Sequence, residues 1–349
     1  MGGDPSCGCR FYAFCNIDFM KKIMYFFLAI IIVLVVLYIF LLATSVRKYP
    51  VDFGISFNHH HASSLGLDWQ KVYTDMLEEL NPKYIRIAAM WNDVEKVEGT
   101  YDFSYVDFMM DKAKENGTKV TLVVGQKAPR WPECHVPKWV DALSEKEYEE
   151  KLLAYDKVVV DRYKNHEALE LWQVENEPFI KFRFGECSKF REDLVDEEIN
   201  LVHRLDEAHW VMVTDSGELS TWNKASKAGD LFGTTLYRIV RTPKGHVWTY
   251  DWLPASFYRS KARLMGIPLE QMYIAELQAE PWFTDSTPDD TPIEEQEKTM
   301  NIERMQKHVD YAERIGVRRA YLWGVEWWYW MREKQEDTRY WDAIKNKLN

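Results

Sequence analysis

From Val51 onward one pattern recurs, a short apolar run followed by a longer amphipathic stretch. The runs are Phe53–Asn58, Tyr84–Ala89, Lys119–Gly125, Leu169–Val174, Trp210–Thr214, Leu231–Tyr237, Met272–Leu277 and Ala320–Gly324. They are nearly continuous in apolar residues rather than alternating, which marks strands buried on both faces, as in a parallel sheet covered by helices. Helices are predicted over Asp68–Leu80, Tyr105–Asn116, Ser144 to about Lys164, Asp193–Glu207, Pro254–Met265, Glu294–Ile315 and Tyr340–Leu348. Ser144-x-x-Glu147 reads as a capping box, and Asn116-Gly117 as a C-terminal stop. Eight such runs, alternating for the most part with helices, close into a (β/α)8 barrel rather than an open sheet. No Gly-rich phosphate fingerprint follows the first strand, which argues against a dinucleotide fold. The barrel is expected to fill residues 51–349 without a second domain.

Ahead of it, Ile23–Ala43 holds no charged residue. At about 1.5 Å per helical residue such a run spans roughly 30 Å of hydrocarbon. The sequence therefore divides into a short tail over 1–22, a transmembrane helix over 23–46 and the barrel. A cleaved signal peptide is the competing reading. The run is longer than an ordinary signal core, however, and Ala43-Thr44-Ser45 is a poor cleavage site, so an uncleaved anchor is expected. Lys21 and Lys22 before the run nearly balance Arg47 and Lys48 after it, and only Arg10 tips the count toward a cytoplasmic N-terminus. Cys7, Cys9 and Cys15 lack the spacing of a zinc site and read as free thiols or, for Cys15, an acylation site.

Lys and Arg number 44 against 55 Asp and Glu in the whole chain. An acidic domain without a basic cluster repels phosphate backbones, so nucleic acid is not an expected partner. Fifteen Trp residues supply core volume and flat faces suited to sugar rings.

In a (β/α)8 barrel the reacting groups sit just past the strands' C-terminal ends. Two carboxylates stand out there. The fourth strand runs into Glu175-Asn176-Glu177-Pro178 and the seventh into Glu276. Cleaving a glycosidic bond needs one carboxylic acid at the leaving oxygen and one carboxylate at the anomeric carbon. WQVENEPF and YIAELQAEPW resemble the paired signatures of the glycoside hydrolase clan with (β/α)8 barrels, which includes cellulases, mannanases and β-galactosidases. The resemblance implies that Glu177 is the acid/base, Glu276 the nucleophile and Asn176 a ligand of the sugar 2-hydroxyl. It also implies that Arg86 and Tyr237 contact the nucleophile and that Trp323 floors the sugar site.

Other readings stay open at this stage. Glu175 shares strand parity with Glu177 and is its rival, while Glu218, Glu280 and Glu326 lie near strand ends. His59, His60 and His61 invite a metal reading, but adjacent residues on an extended chain point apart, so His59 is expected on a substrate hydroxyl and no metal is expected. Trp91, Trp131 and Trp222 are candidate stacking faces. Cys134 and Cys187, in the loops after strands three and four, are expected to form a disulfide, which would place the barrel outside the cytoplasm. The expected function is retaining β-glycoside hydrolysis without a cofactor. A transglycosylase acting on surface glycans and a non-catalytic carbohydrate-binding protein are the alternatives.

Overall fold

The computed structural model describes residues 9–348 except 181–184, 186, 188, 243, 284 and 285. Eight parallel strands close a barrel: β1 Asp52–Ser56, β2 Tyr84–Ala88, β3 Lys119–Val124, β4 Leu169–Val174, β5 Trp210–Asp215, β6 Leu231–Leu236, β7 Met272–Gln278 and β8 Arg319–Trp323. Closure is by β1, which pairs β8 through Ser56 and Trp323 and β2 through Ile55 and Ile85. Each expected apolar run is one of these strands. Their outward faces join the helices in one continuous core, while Tyr84, Leu171, Met212, Leu231, Tyr273, Ala275 and Tyr321 fill the barrel's interior near its base.

Local chemistry sets the helix ends. Ser144 caps Glu145–Tyr163 with the reciprocal Glu147 contact of a capping box. The predicted helix over Glu294–Ile315 is instead two, Ile293–Gln296 and Ile302–Ile315, because the Asn301 side chain accepts from the Arg304 amide and starts a new helix. Helix Val325–Lys334 was not foreseen. Its residues Val325 to Met331 are all buried, so it lacks the amphipathic period by which a surface helix is read.

The N-terminal segment is one helix, Cys9–Thr44, whose part Phe19–Thr44 is long and apolar enough to cross a membrane, with a mean hydropathy of 3.3 and no buried share. Cys7 lies outside the described residues. Among the described residues, the helix meets the barrel at its C-terminal end. There the Tyr38 hydroxyl donates to Trp252 O at 2.7 Å, the Ser256 hydroxyl to Leu41 O at 2.6 Å, and Arg259 to Thr44 O.

Candidate active site

The position of Glu276 depends on an irregularity in β7. Thr234 and Thr235 of β6 pair with Ile274 and Glu276, while Ala320 and Leu322 of β8 pair with Ile274 and Leu277. Both neighbours thus skip one residue, so β7 carries a bulge at Ala275–Glu276. Tyr273 and Ala275 face the interior, and strict alternation would turn Glu276 outward. The extra residue returns its carboxylate to the barrel axis.

There it is held from two sides. Arg86 Nη1 donates to Oε1 at 3.0 Å and the Tyr237 hydroxyl to Oε2 at 2.7 Å. Arg86 is itself fixed, giving Nε to Gln173 Oε1 at 2.8 Å and Nη2 to Asn176 Oδ1 at 2.8 Å. The buried guanidinium is thus shared among carboxylate and amide acceptors, which fixes the position of the Glu276 carboxyl.

Glu177 stands across the mouth. Its amide donates to Thr214 Oγ1 at 2.9 Å, and its Oε1 accepts from the Thr235 hydroxyl at 2.9 Å. Burial, then the charges of Glu276 and Glu133, push its carboxyl up to about 8. The two carboxyls thus sit in different surroundings, Glu276 beside the Arg86 cation and Glu177 desolvated near the charges of Glu276 and Glu133.

The strand-end geometry decides between Glu175 and Glu177. Both have positive φ, 60° and 45°, so the alternation of β4 stops at Val174 and parity no longer applies. Glu175 is fully buried and turned behind β3, where Oε1 accepts from the Gln126 amide and Oε2 from the Lys127 amide, each at 2.7 Å. Gly125, with φ +114°, makes room for it: a Cβ there would stand 2.5 Å from Glu175 Oε1. Glu175 faces Asp156 and Glu198, and burial raises all three carboxyls. Three buried acids in contact keep protons among themselves.

A third carboxylate enters the mouth that strand-end reading missed. Glu133, in the loop after β3, accepts from Asn176 Nδ2 at 3.2 Å, and burial above all pushes it up to about 7. Lys127, also missed, donates to Glu177 O at 3.2 Å. The only signal for Glu133 was its place in the loop between Trp131 and Cys134. That loop is tied to the next one by the Cys134–Cys187 disulfide, with Cα atoms 5.1 Å apart.

Several rim expectations change. Trp91 is not a stacking face: it is fully buried among Trp139, Tyr148 and Tyr155, with Nε1 donating to Glu95 at 2.7 Å. Trp222 is likewise core, whereas Trp131 is 67 % exposed on the rim. Trp323 carries the Arg130 guanidinium over its ring at 4.2 Å. Arg130 pairs in turn with Glu280 and Glu326; although burial opposes it, Arg130 and His61 hold Glu280 down at about 2. Glu218 accepts from the Tyr258 hydroxyl at 2.7 Å.

The histidine run is helical, His59–Ser64 with Asn58 as cap, not extended. His59 and His60 consequently stack at 4.2 Å and both face Asp93, at 3.3 and 2.5 Å. His59, expected on a substrate hydroxyl, is buried against Tyr105 and Trp69 with Nε2 toward Asp93. His61 reaches toward the mouth, 3.7 Å from Glu280. Among the described residues, His59, His60 and Asp93, and separately His61, Glu280 and Glu326, are the groups whose atoms approach closely enough to share an ion. In the second, both carboxyls are already paired with Arg130.

The closed parallel strands make the chain a (β/α)8 barrel, and the groups at its mouth are similar to those of the glycoside hydrolase clan that includes cellulases, mannanases and β-galactosidases. Within that clan its likeness is to β-galactosidases, whose family model matches residues 66–227. It is 28% identical to the β-galactosidase Pbg of Clostridium perfringens over 41% of this chain and 24% of that protein. To the β-galactosidase GanA of Bacillus subtilis it is 24% identical, over 63% of this chain and 34% of the relative. The chain thus spans about a third or less of the length of these relatives. Among solved structures, a β-galactosidase from the haloarchaeon Halorubrum lacusprofundi superposes with TM-score 0.59 at 14% identity, covering 85% of this chain and 58% of that one. A GH5_18 protein from Streptomyces cattleya gives 0.55 at 10% identity, over 79% and 71%. At such identities the structural likeness speaks for the fold.

Proposed function

We propose that the barrel is a retaining β-glycoside hydrolase held at a membrane by its uncleaved N-terminal helix. Glu276 attacks the anomeric carbon while protonated Glu177 gives its proton to the leaving oxygen. Water then opens the glycosyl-enzyme with Glu177 as base, so configuration is retained. The observation that carries this reading is the opposed environment of the two carboxyls: Arg86 and Tyr237 both donate to Glu276, whereas Glu177 is pushed up to about 8. Near neutral pH Glu177 then holds the proton that the leaving oxygen needs, while Glu276 lies between the Arg86 guanidinium and the Tyr237 hydroxyl in the place of the nucleophile. The names of the matched relatives make β-galactosides the first substrates to try, and no step calls for a cofactor. Asn176, bridging Arg86 and Glu133, sits where it meets the sugar's 2-hydroxyl, with Trp323 and Trp131 on the cleft walls.

The test is kinetic and stereochemical. Full-length protein with an aryl β-galactoside should release the β-anomer first, by proton NMR. Glu276→Gln should be inactive, while Glu177→Ala should turn over an activated aryl substrate and regain rate with azide. Initial release of the α-anomer, or equal unrescued loss in both variants, would reject the assignment.

A further inference from the structure

The direction in which the N-terminal helix leaves the barrel follows from its contacts. In a (β/α)8 barrel the helix after a strand runs back from the mouth to the base. Helix Ala255–Met265 follows β6, so its first turn lies at the mouth, near Tyr237, and its end at the base. Along the N-terminal helix, Thr44 meets Arg259, Leu41 meets Ser256 one turn closer to the mouth, and Tyr38 meets Trp252, in the mouth-side loop before that helix. The two helices therefore run parallel, both from mouth to base, and residues before Tyr38 continue past the mouth. Phe19 lies roughly 28 Å beyond Tyr38 at about 1.5 Å per residue. On the other side, Tyr49 and Asp52 hydrogen-bond to Glu313 and Arg318 at the base.

The mouth-side segment beside Tyr38 has an interfacial character. The hairpin Ile239–Arg241 and Val247–Thr249, with the loop after it, exposes Val247 at 39%, Trp248 at 54% and Trp252 at 56%. Trp and Tyr at the end of an apolar span are residues that settle at the level of lipid headgroups. Tyr38 and Trp252 are already joined there by a hydrogen bond.

We infer that the open mouth of the barrel faces the bilayer crossed by the N-terminal helix, with Val247, Trp248 and Trp252 seated in the headgroup layer, and that the substrate is the sugar of a glycolipid in that membrane. This rests on the membrane-anchor and β-glycosidase readings above. A sugar carried on a lipid enters a downward-facing cleft from the membrane plane, whereas a large free polysaccharide must pass between barrel and bilayer. Trp131, exposed on the opposite rim, gives the same face a second aromatic edge.

The test uses the full chain in phosphatidylcholine vesicles containing a β-galactosyl glycolipid. Photoreactive benzoylphenylalanine replaces Trp248 in one protein and Arg318, exposed at the base, in another. Lipid should be captured from position 248 and not from 318. The pair Trp248→Ser/Trp252→Ser should lower glycolipid turnover by about tenfold or more while kcat/KM for a soluble aryl β-galactoside stays unchanged. Capture from 318 alone, or glycolipid turnover equal in the variant and the parent, overturns the proposal. Failure of the underlying readings looks different: extraction of the chain from vesicles by alkaline carbonate defeats the anchor, and inactivity on both substrates in vesicle-bound protein defeats the hydrolase. Either also overturns the proposal.

Discussion

The Tyr237 hydroxyl donates to Oε2 of Glu276 at 2.7 Å. Tyr237 lies just past β6 and Glu276 on the bulged β7, so the contact exists only because the bulge turns the carboxylate inward. A hydrogen bond to a charged group is worth about 1.5–3 kcal/mol. Tyr237→Phe should therefore lower kcat on the order of 10- to 100-fold, with the fold intact by circular dichroism. An unchanged kcat would remove Tyr237 from the chemistry.

The raised Glu177 carboxyl sets the alkaline limb. As an acid it works only while protonated, so kcat/KM should fall as pH rises through about 8. The charge of Glu133 is among the causes of that rise, after burial and Glu276. Glu133→Gln should accordingly move the alkaline limb to lower pH, and a pH–rate profile that does not move would show that Glu133 leaves the acid untouched.

The buried acids Asp156, Glu175 and Glu198 make stability depend on pH. Their folded-state pKa values are raised, so folding holds their protons more tightly than the unfolded chain does. The stability they contribute is full below the unfolded values near 4 and is lost as pH rises through the folded ones. Glu198→Gln should raise Tm at pH 8, by about 2–4 °C for each kcal/mol relieved, and not at pH 4. Calorimetry at the two values decides it, and an equal shift at both would be a packing effect.

Cys134 and Cys187 close a loop of 53 residues. Replacing both by Ser should cost about 2–5 kcal/mol of stability and raise KM more than it lowers kcat, because the tied loops carry Trp131 and Glu133. Non-reducing peptide mapping of the native protein should find the pair cross-linked. Two alkylatable thiols would remove the support this bridge gives to an external barrel.

How much was legible follows from the range of each signal. The strands, the capping box at Ser144 and the apolar helix are written in contiguous residues, and hydrophobic period and length are read directly. The barrel follows because eight buried parallel strands have few other ways to cover both faces. Glu177 and Glu276 were legible as strand-end carboxylates, but their orientation was not. Parity along β4 favoured Glu175 as much as Glu177 until the left-handed backbone at both residues broke it, and alternation along β7 alone turns Glu276 outward. The histidine run was misjudged for the same reason, since extended and helical backbone aim neighbouring side chains differently. Trp91, Glu133 and the direction of the N-terminal helix depend on contacts between residues tens to hundreds of positions apart. The sequence by itself determined the eight strands, most of the helices and the long apolar N-terminal helix, since these reflect local propensity and burial period. Only the tertiary structure decided which carboxyls meet, which are shielded and which end of the barrel the N-terminal helix passes, because a one-residue bulge or one positive φ reverses a side chain's direction without altering the hydrophobic pattern around it.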